Sequence, residues 1–309
     1  MNLVPLDNAD LVSVAELLDD ELEAWRTDLG WDYSPVRKIL FSFMARRALP
    51  GFVAMDGSKA VGYTYFLFQE RKGVIGTVYG TRAAAAGGVA DLLQQAAIDA
   101  LKRAGSVTRI ESQIVPFRDI DLAPRFLDNS FECWPRRFLE LDLSAHTPCA
   151  AACDVGIIPW ELSSLSGSAR VACAGYRGQV DALICEDYRT ETGCESYLRS
   201  LMETPGCGTC LPADSRVAID NDGILCGFIV VSRIASSRAM IPQVSVLPSH
   251  QGRGIGKALM DEAFSSLRSK GYSSVSLTVT AANVRAHEWY IRLGFRMRKA
   301  FGAAVWQLG

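Results

Sequence analysis

Several things are scarce in this chain of 309 residues, and each scarcity removes a class of function. There is no excess charge of one sign: 32 lysines and arginines stand against 34 aspartates and glutamates, a net charge of −2. That balance gives no electrostatic case for nucleic-acid binding. Histidine occurs three times, and His250 and His287 stand apart from other ligands. Cys207-Gly208-Thr209-Cys210 is a lone CxxC with no second pair at a suitable spacing, which leaves a zinc site short of ligands, and no metal is expected. The nine cysteines are odd in number and scattered, which suits reduced thiols better than a disulfide frame. No apolar run approaches the ~18 residues of a membrane span, and the opening MNLVPLDNAD lacks the basic and apolar regions of a signal peptide. The expectation is a soluble cytoplasmic protein, monomer or homodimer, with no nucleic-acid or membrane partner.

What the sequence does have is a long internal repeat. Val53-Ala54-Met55-Asp56 followed by Val61-Gly62-Tyr63 returns as Val217-Ala218-Ile219-Asp220 followed by Cys226-Gly227-Phe228. Gly105 returns as Gly271, and Leu127…Phe131 as Leu293…Phe295. The offset is about 165 residues, far above the roughly 20–50 of a solenoid, so it marks tandem domains. The aperiodic stretch near 144–158 sets the boundary, giving domains 1–150 and 151–309. Each copy reads as helices (Leu11–Trp25 and Pro35–Ala48; Ala169–Cys185 and Glu195–Glu203), then a hairpin of alternating apolar residues (Gly51–Phe68; Arg216–Arg233). A strand (Val74–Tyr79; Met240–Leu247) and a helix (Val89–Ala104; Gly256–Lys270) follow. Ile255, Leu259, Ala263 and Leu267 form one apolar stripe, and Gly271 stops that helix. A strand through Val275, Leu277 and Val279, a short helix Val284–Leu293 and a strand around Ala304-Val305-Trp306 complete the second copy. The class is α/β with a mixed sheet.

Between strand and helix lies Gln251-Gly252-Arg253-Gly254-Ile255-Gly256-Lys257. Alternate glycines let backbone turn tightly and approach a ligand. The first N–H groups of the following helix are unpaired and sit at its positive end, so the segment suits a diphosphate, with Arg253 and Lys257 adding charge at the rim. It is not a Walker loop, because Gly252 and Gly256 are too close and Ala258 follows Lys257. Nor is it a dinucleotide fingerprint, which would need glycine where Lys257 stands. The glycines by themselves also fit a plain turn before a helix.

Gln251-Gly252-Arg253-Gly254-Ile255-Gly256 resembles the Gln/Arg-x-x-Gly-x-Gly/Ala signature of the GCN5-related N-acetyltransferase (GNAT) superfamily. The preceding Gln243–Pro248 is similar to that family's central strand, and Asn283-Val284-Arg285-Ala286-His287-Glu288-Trp289-Tyr290-Ile291-Arg292-Leu293-Gly294-Phe295 to its Asn-x-x-Ala…Tyr-x-x-x-Gly-Phe segment. The match covers roughly 155–309, and the tandem layout is similar to two-domain members such as mycothiol synthase. The resemblance implies two GNAT-like domains, each a mixed, mostly antiparallel sheet flanked by helices. It implies acetyl-CoA as co-substrate and a primary amine of a small molecule or peptide as acceptor. It assigns the pyrophosphate to amides of residues 252–257, the pantetheine arm to backbone of Val244 and Val246, and the thioester oxygen to the Val246 amide. Asn283 and Ala286 belong to the CoA-binding segment, and Tyr290 faces the sulfur.

Attack of an amine on a thioester needs an amine that has lost its proton, a donor for the carbonyl oxygen and an acid for the departing thiolate. One fixed N–H contributes about 3 kcal/mol. Tyr290 is the candidate acid, although a tyrosine near 10 and a thiol near 8.5 leave the transfer uphill by about 2 kcal/mol; a packed core tyrosine is the plain alternative. The glutamate that related enzymes carry on the central strand is replaced by Met240, Ile241 and Pro242, which leaves Gln243 or Ser245 to hold a relaying water. His287 and Glu288 read as surface residues. Between 181 and 203 six acids (Asp181, Glu186, Asp187, Glu191, Glu195, Glu203) outnumber Arg189 and Arg199, which suggests a cationic acceptor or simply a solvated helix face.

The first copy departs from the motif. It has Arg82-Ala83-Ala84-Ala85-Ala86-Gly87-Gly88 at the loop, Phe126 for Tyr290 and Asp119 for Asn283, so it is expected not to catalyse. Trp25, Trp31 and Tyr33 either line a pocket there or pack as core. A non-catalytic acyl-CoA sensor is the competing reading, and a protein-interaction module a weaker third.

Overall fold

The computed structural model describes residues 1–84, 87–118, 120–147 and 153–308. The chain forms two units, Met1–Arg136 with Ala300–Gly309, and Arg137–Lys299. Parts of the loop at 82–88, Asp119, and the middle of the boundary stretch (148–152) lie outside the described residues.

Unit 1 opens with β1 (Asn2–Pro5), α1 (Leu11–Leu29) and α2 (Ser34–Ala45). Strands β2 (Gly51–Asp56), β3 (Lys59–Gln69) and β4 (Lys72–Gly80) lead to α3 (Val89–Arg103), β5 (Arg109–Ile114) and α4 (Ala123–Asp128), and the chain leaves through β6 (Glu132–Asp142). Unit 2 repeats the plan with β7 (Gly156–Pro159), α5 (Leu165–Tyr176), α6 (Asp181–Ile184), α7 (Glu191–Glu203), β8 (Thr209–Cys210), β9 (Arg216–Ile219), β10 (Leu225–Ala235) and β11 (Arg238–Val246). It continues through α8 (Ile255–Ser269), β12 (Ser274–Thr280), α9 (Val284–Arg292) and β13 (Arg296–Gln307).

Within unit 1 the strand order is β1-β2-β3-β4-β5-β13, and within unit 2 it is β6-β12-β11-β10-β9-β7, with β8 beside β10. Hairpin neighbours are antiparallel, while β4–β5 and β11–β12, each joined through a helix, are parallel. The sheets are therefore mixed and mostly antiparallel, as the sequence leads one to expect. No described helix is long and apolar enough to cross a membrane.

The repeat in the sequence does not specify which sheet each closing strand joins. Gly302–Gln307 pairs antiparallel with Ile114–Arg109, and Ala304 enters the unit 1 core. Leu139, Leu141 and Leu143 enter the core of unit 2, where the Leu143 amide donates to the Ser273 carbonyl at 2.9 Å. A run of alternating apolar residues offers one face to any sheet, so its partner is settled by which core it completes.

One local expectation changes. The helix expected over Ala169–Cys185 breaks after Tyr176: the backbone passes through left-handed Gly178 (φ 73°) and restarts as the short α6. The stripe on α8 is buried as expected, with Ile255, Leu259, Ala263 and Leu267 all within the unit 2 core.

Candidate active site in unit 2

The β11–β12 ladder ends at Ile241 and Leu277, yet β11 runs on to Val246 and β12 to Thr280. The two strands part there. On its other side β11 stays paired with β10, in the register Gly227↔Val246 and Ile229↔Val244. The Leu247 amide donates to the Cys226 carbonyl at 2.8 Å. Because successive residues of a strand direct their amides to opposite sides, Gln243 and Ser245 bond toward β10. The N–H and C=O groups of Val244 and Val246 then face the open edge.

At the end of this edge the chain turns through Gly252 (φ 80°) and Gly254 (φ 81°), both left-handed and exposed. Residues with a Cβ are strained in this region by about 1–2 kcal/mol each, which accounts for glycine at both. No side chain caps α8, and its first intrahelical bond is Ala258 N–H to Gly254 O, so the amides of Ile255 and Gly256 have no helical acceptor. A Cβ at Gly256 would lie 3.4 Å from the Trp289 ring. A strand edge without a partner strand, running into an uncapped helix N-terminus, suits an extended ligand that ends in a diphosphate.

The flanking cations are already paired. Arg253 bonds Asp154, and Lys257 bonds Asp261 at 2.5 Å, with His146 on the other oxygen of Asp261 at 2.8 Å. Gln251 links the two sides of the splay. Its Nε2 donates to the Val246 carbonyl at 3.1 Å, and its Oε1 accepts from Arg285 at 2.9 Å. Asn283 caps α9: its Oδ1 accepts from the Ala286 amide at 3.3 Å, and its Nδ2 donates to Asp181 at 3.1 Å. Both ends of that amide are thus used within the protein.

Tyr290 is 8% exposed. Burial, with the charge of Asp181 behind it, pushes its pKa above the ordinary tyrosine value, so it stays a donor. The water-relay candidates are less open than their sequence suggests. Ser245 Oγ donates to the Val171 carbonyl at 3.4 Å, and Gln243 Nε2 donates to the Tyr176 hydroxyl at 2.9 Å. His287 Nε2 accepts from Arg137 at 2.6 Å, while burial and that guanidinium lower its pKa. Its lone pair is therefore engaged. Glu288 is exposed and pairs with Arg292.

Of the six acids between 181 and 203, Asp181 turns inward. It accepts from Thr280 Oγ1 at 2.6 Å as well as from Asn283. Glu195 pairs with Arg199 along α7, Glu186 faces Arg189 at 3.9 Å, and Glu191 and Glu203 are exposed. Reading the six as one charged face missed this division. Only the break at Gly178 and the restart at Asp181 could have signalled it. Arg285 and Tyr176 carried no signal at all.

Unit 1 has the same splay: β4–β5 pairing ends at Ile75 and Ser112, while β4 continues to Gly80. Its open edge is filled from within. Arg118 donates to the Gly80 carbonyl at 2.6 Å, the Tyr79 hydroxyl at 2.5 Å and Asp20 at 2.8 Å, its guanidinium lying 4.9 Å over the Tyr79 ring. Trp25 stacks on Tyr33 at 4.4 Å and meets Trp31 and Phe117 edge-on, so these aromatics pack on one another. Beneath them Glu21, 3% exposed, accepts from Tyr63, Trp25 and Thr77, and burial raises its pKa.

Residues 181–295 match the sequence model of the Acetyltransferase (GNAT) family. Over 86 residues, 27% of this chain and 46% of the relative, the chain is 43% identical to streptothricin acetyltransferase of Streptomyces lavendulae. Over 87 residues, 27% of this chain and 28% of the relative, it is 34% identical to mycothiol acetyltransferase of Propionibacterium freudenreichii subsp. shermanii. These matches span less than half the length of either relative. A tandem GNAT protein from the clavulanic acid biosynthesis pathway superposes with a TM-score of 0.66 at 17% identity, over 100% of this chain and 98% of that one. A GCN5-related N-acetyltransferase from Sphaerobacter thermophilus gives 0.66 at 17% identity, over 99% and 96%.

Proposed function

We propose that this chain, a tandem GNAT-fold protein whose residues 181–295 carry the acetyltransferase family pattern, moves an acetyl group from acetyl-CoA to a primary amine. One observation carries the reading. The open edge of Val244 and Val246 leads into Gly252, Gly254 and the uncapped start of α8. Acetyl-CoA supplies the activated acetyl thioester. The chain supplies backbone amides for the diphosphate at residues 252–257, with Gln251, Ile255, Asn283 and Ala286 shaping the cradle. Arg253 and Lys257 must exchange their present carboxylate partners to add charge there. The Val246 N–H lies on the open edge as a fixed donor for a carbonyl oxygen, worth about 3 kcal/mol. Tyr290, held protonated, donates to the departing sulfur.

Direct attack by the amine with both substrates bound is the proposed order. The acceptor is a small-molecule or peptide amine. The division of labour is unequal: the domain over 151–309 binds acetyl-CoA and catalyses, whereas the domain over 1–150 is non-catalytic, its open edge closed by Arg118.

Calorimetric titration with acetyl-CoA, followed by thiol release with a panel of primary amines, tests this. One acetyl-CoA per chain and amine-dependent thiol release are expected, both lost in Gly254→Asp. Binding without turnover would point instead to an acyl-CoA sensor, and no binding would end the reading.

A further inference from the structure

The proposed transfer gives no role to Asp181, which lies at the far side of the splay. Asp181 reaches Thr280 at the end of β12 and Asn283 at the start of α9. Both fixed bonds come from neutral donors, and among the described residues no cation is a hydrogen-bonding or salt-bridge partner of the carboxylate, which has lone pairs to spare. Tyr290 and Tyr176 both feel that charge. Tyr176 is held face to face with Tyr188 at 4.1 Å, and Tyr188 meets Tyr197 edge-on at 5.1 Å. Tyr176 in turn accepts from Gln243 on the central strand, and the Oε1 of that 2%-exposed glutamine has no partner among the described residues.

A buried acceptor left bare costs about 1–3 kcal/mol, so a group in this position is worth explaining by a ligand that satisfies it. The cluster offers one negative charge, one bare carbonyl oxygen and tyrosine rings. That set matches an alkylammonium group, which is a charged donor with three N–H bonds and an affinity for ring faces.

We propose that Asp181 is the acceptor-recognition residue, drawing in a cationic amine, with Gln243 Oε1 and Tyr176 completing its surroundings. This rests on the acetyl-transfer reading and narrows its acceptor. Capture is the role assigned. The carboxylate selects a positively charged molecule and holds it beside Tyr290, and the attacking nitrogen gives up its proton to solvent. Thr280 and Asn283 act as positioning residues that fix the carboxylate.

The test uses the full chain. From a panel of alkyl monoamines and diamines, the amine with the lowest KM is taken together with its hydroxyl analogue, in which OH replaces the amino group. Binding of each in the presence of CoA is measured by calorimetry for wild type and Asp181→Asn. The asparagine variant is expected to weaken the amine roughly 10- to 100-fold, as loss of a charge-assisted hydrogen bond does. The hydroxyl analogue and acetyl-CoA are expected to bind both proteins alike. Thr280→Val keeps the charge and is expected to weaken the amine less than Asp181→Asn does. Unchanged amine binding in Asp181→Asn, or equal losses for amine and alcohol, overturns the inference while intact acetyl-CoA binding and turnover keep the transfer reading. Absence of acetyl-CoA binding in wild type brings down both.

Discussion

The side-chain amide of Gln251 donates to the backbone carbonyl of Val246 at 3.1 Å, tying the loop ahead of α8 to the end of the open strand edge. Its other end accepts from Arg285 on α9. The loop is thus set by a bridge and not by its glycines alone. Gln251→Ala removes one neutral and one charge-assisted bond on an exposed side chain. We expect acetyl-CoA affinity to fall roughly 5- to 30-fold, since such bonds contribute about 1–2 kcal/mol. Melting temperature should stay close to wild type. Titration calorimetry and a thermal melt check both halves.

Gly254 occupies a left-handed conformation at the first turn of α8. Gly254→Ala adds backbone strain there, and should lower stability by about 1–2 kcal/mol with a modest loss of acetyl-CoA affinity. Gly254→Asp adds a negative charge facing the diphosphate and should abolish measurable binding. Equal affinities for the two variants would show that the segment does not contact an anion.

Tyr290→Phe should lower kcat roughly 10²- to 10⁴-fold, the range for loss of a positioned acid, with little change in KM for acetyl-CoA. The buried hydroxyl titrates above an ordinary tyrosine. It therefore keeps its proton, and its contribution to activity, through the pH range near 10 where a free tyrosine ionises. A pH–kcat profile whose alkaline fall coincides with ordinary tyrosine titration would contradict this.

Glu21 titrates above the ordinary glutamate value because burial penalises its charge. Between the unfolded and folded values the folded chain holds a proton that the unfolded chain has released. Stability from this site is therefore complete below about pH 4.5 and is lost as pH rises through the folded value. Glu21→Gln removes the titration. Its melting temperature relative to wild type should rise as pH increases from 4 toward neutrality, and a pH-independent difference would count against the argument.

Arg118→Ala leaves the Gly80 carbonyl and Asp20 without their cation. A cost of about 1–3 kcal/mol is expected from a thermal melt. If Arg118 is what closes the first unit, the same variant should show acetyl-CoA stoichiometry moving above one per chain, which native mass spectrometry reads directly.

The sequence by itself determined what depends on neighbours along the chain. The glycine spacing at 252–256 pointed to a tight turn into a helix, and Gly252 and Gly254 take the left-handed conformation that residues without a Cβ enter cheaply. The period of Ile255, Leu259, Ala263 and Leu267 fixed that helix's buried face, and the offset of about 165 residues fixed two copies of one plan. What only the tertiary structure decided depends on neighbours through space. Asp181 was one acid among six until the chain broke at Gly178 and brought it to Thr280 and Asn283. Arg118 belongs to no sequence motif and takes its role from the edge it fills at Gly80. The sheet that receives β13 follows from which core Ala304 completes. Charges and strand edges carry no periodic signature, since their meaning comes from the partner, and the fold alone supplies the partner.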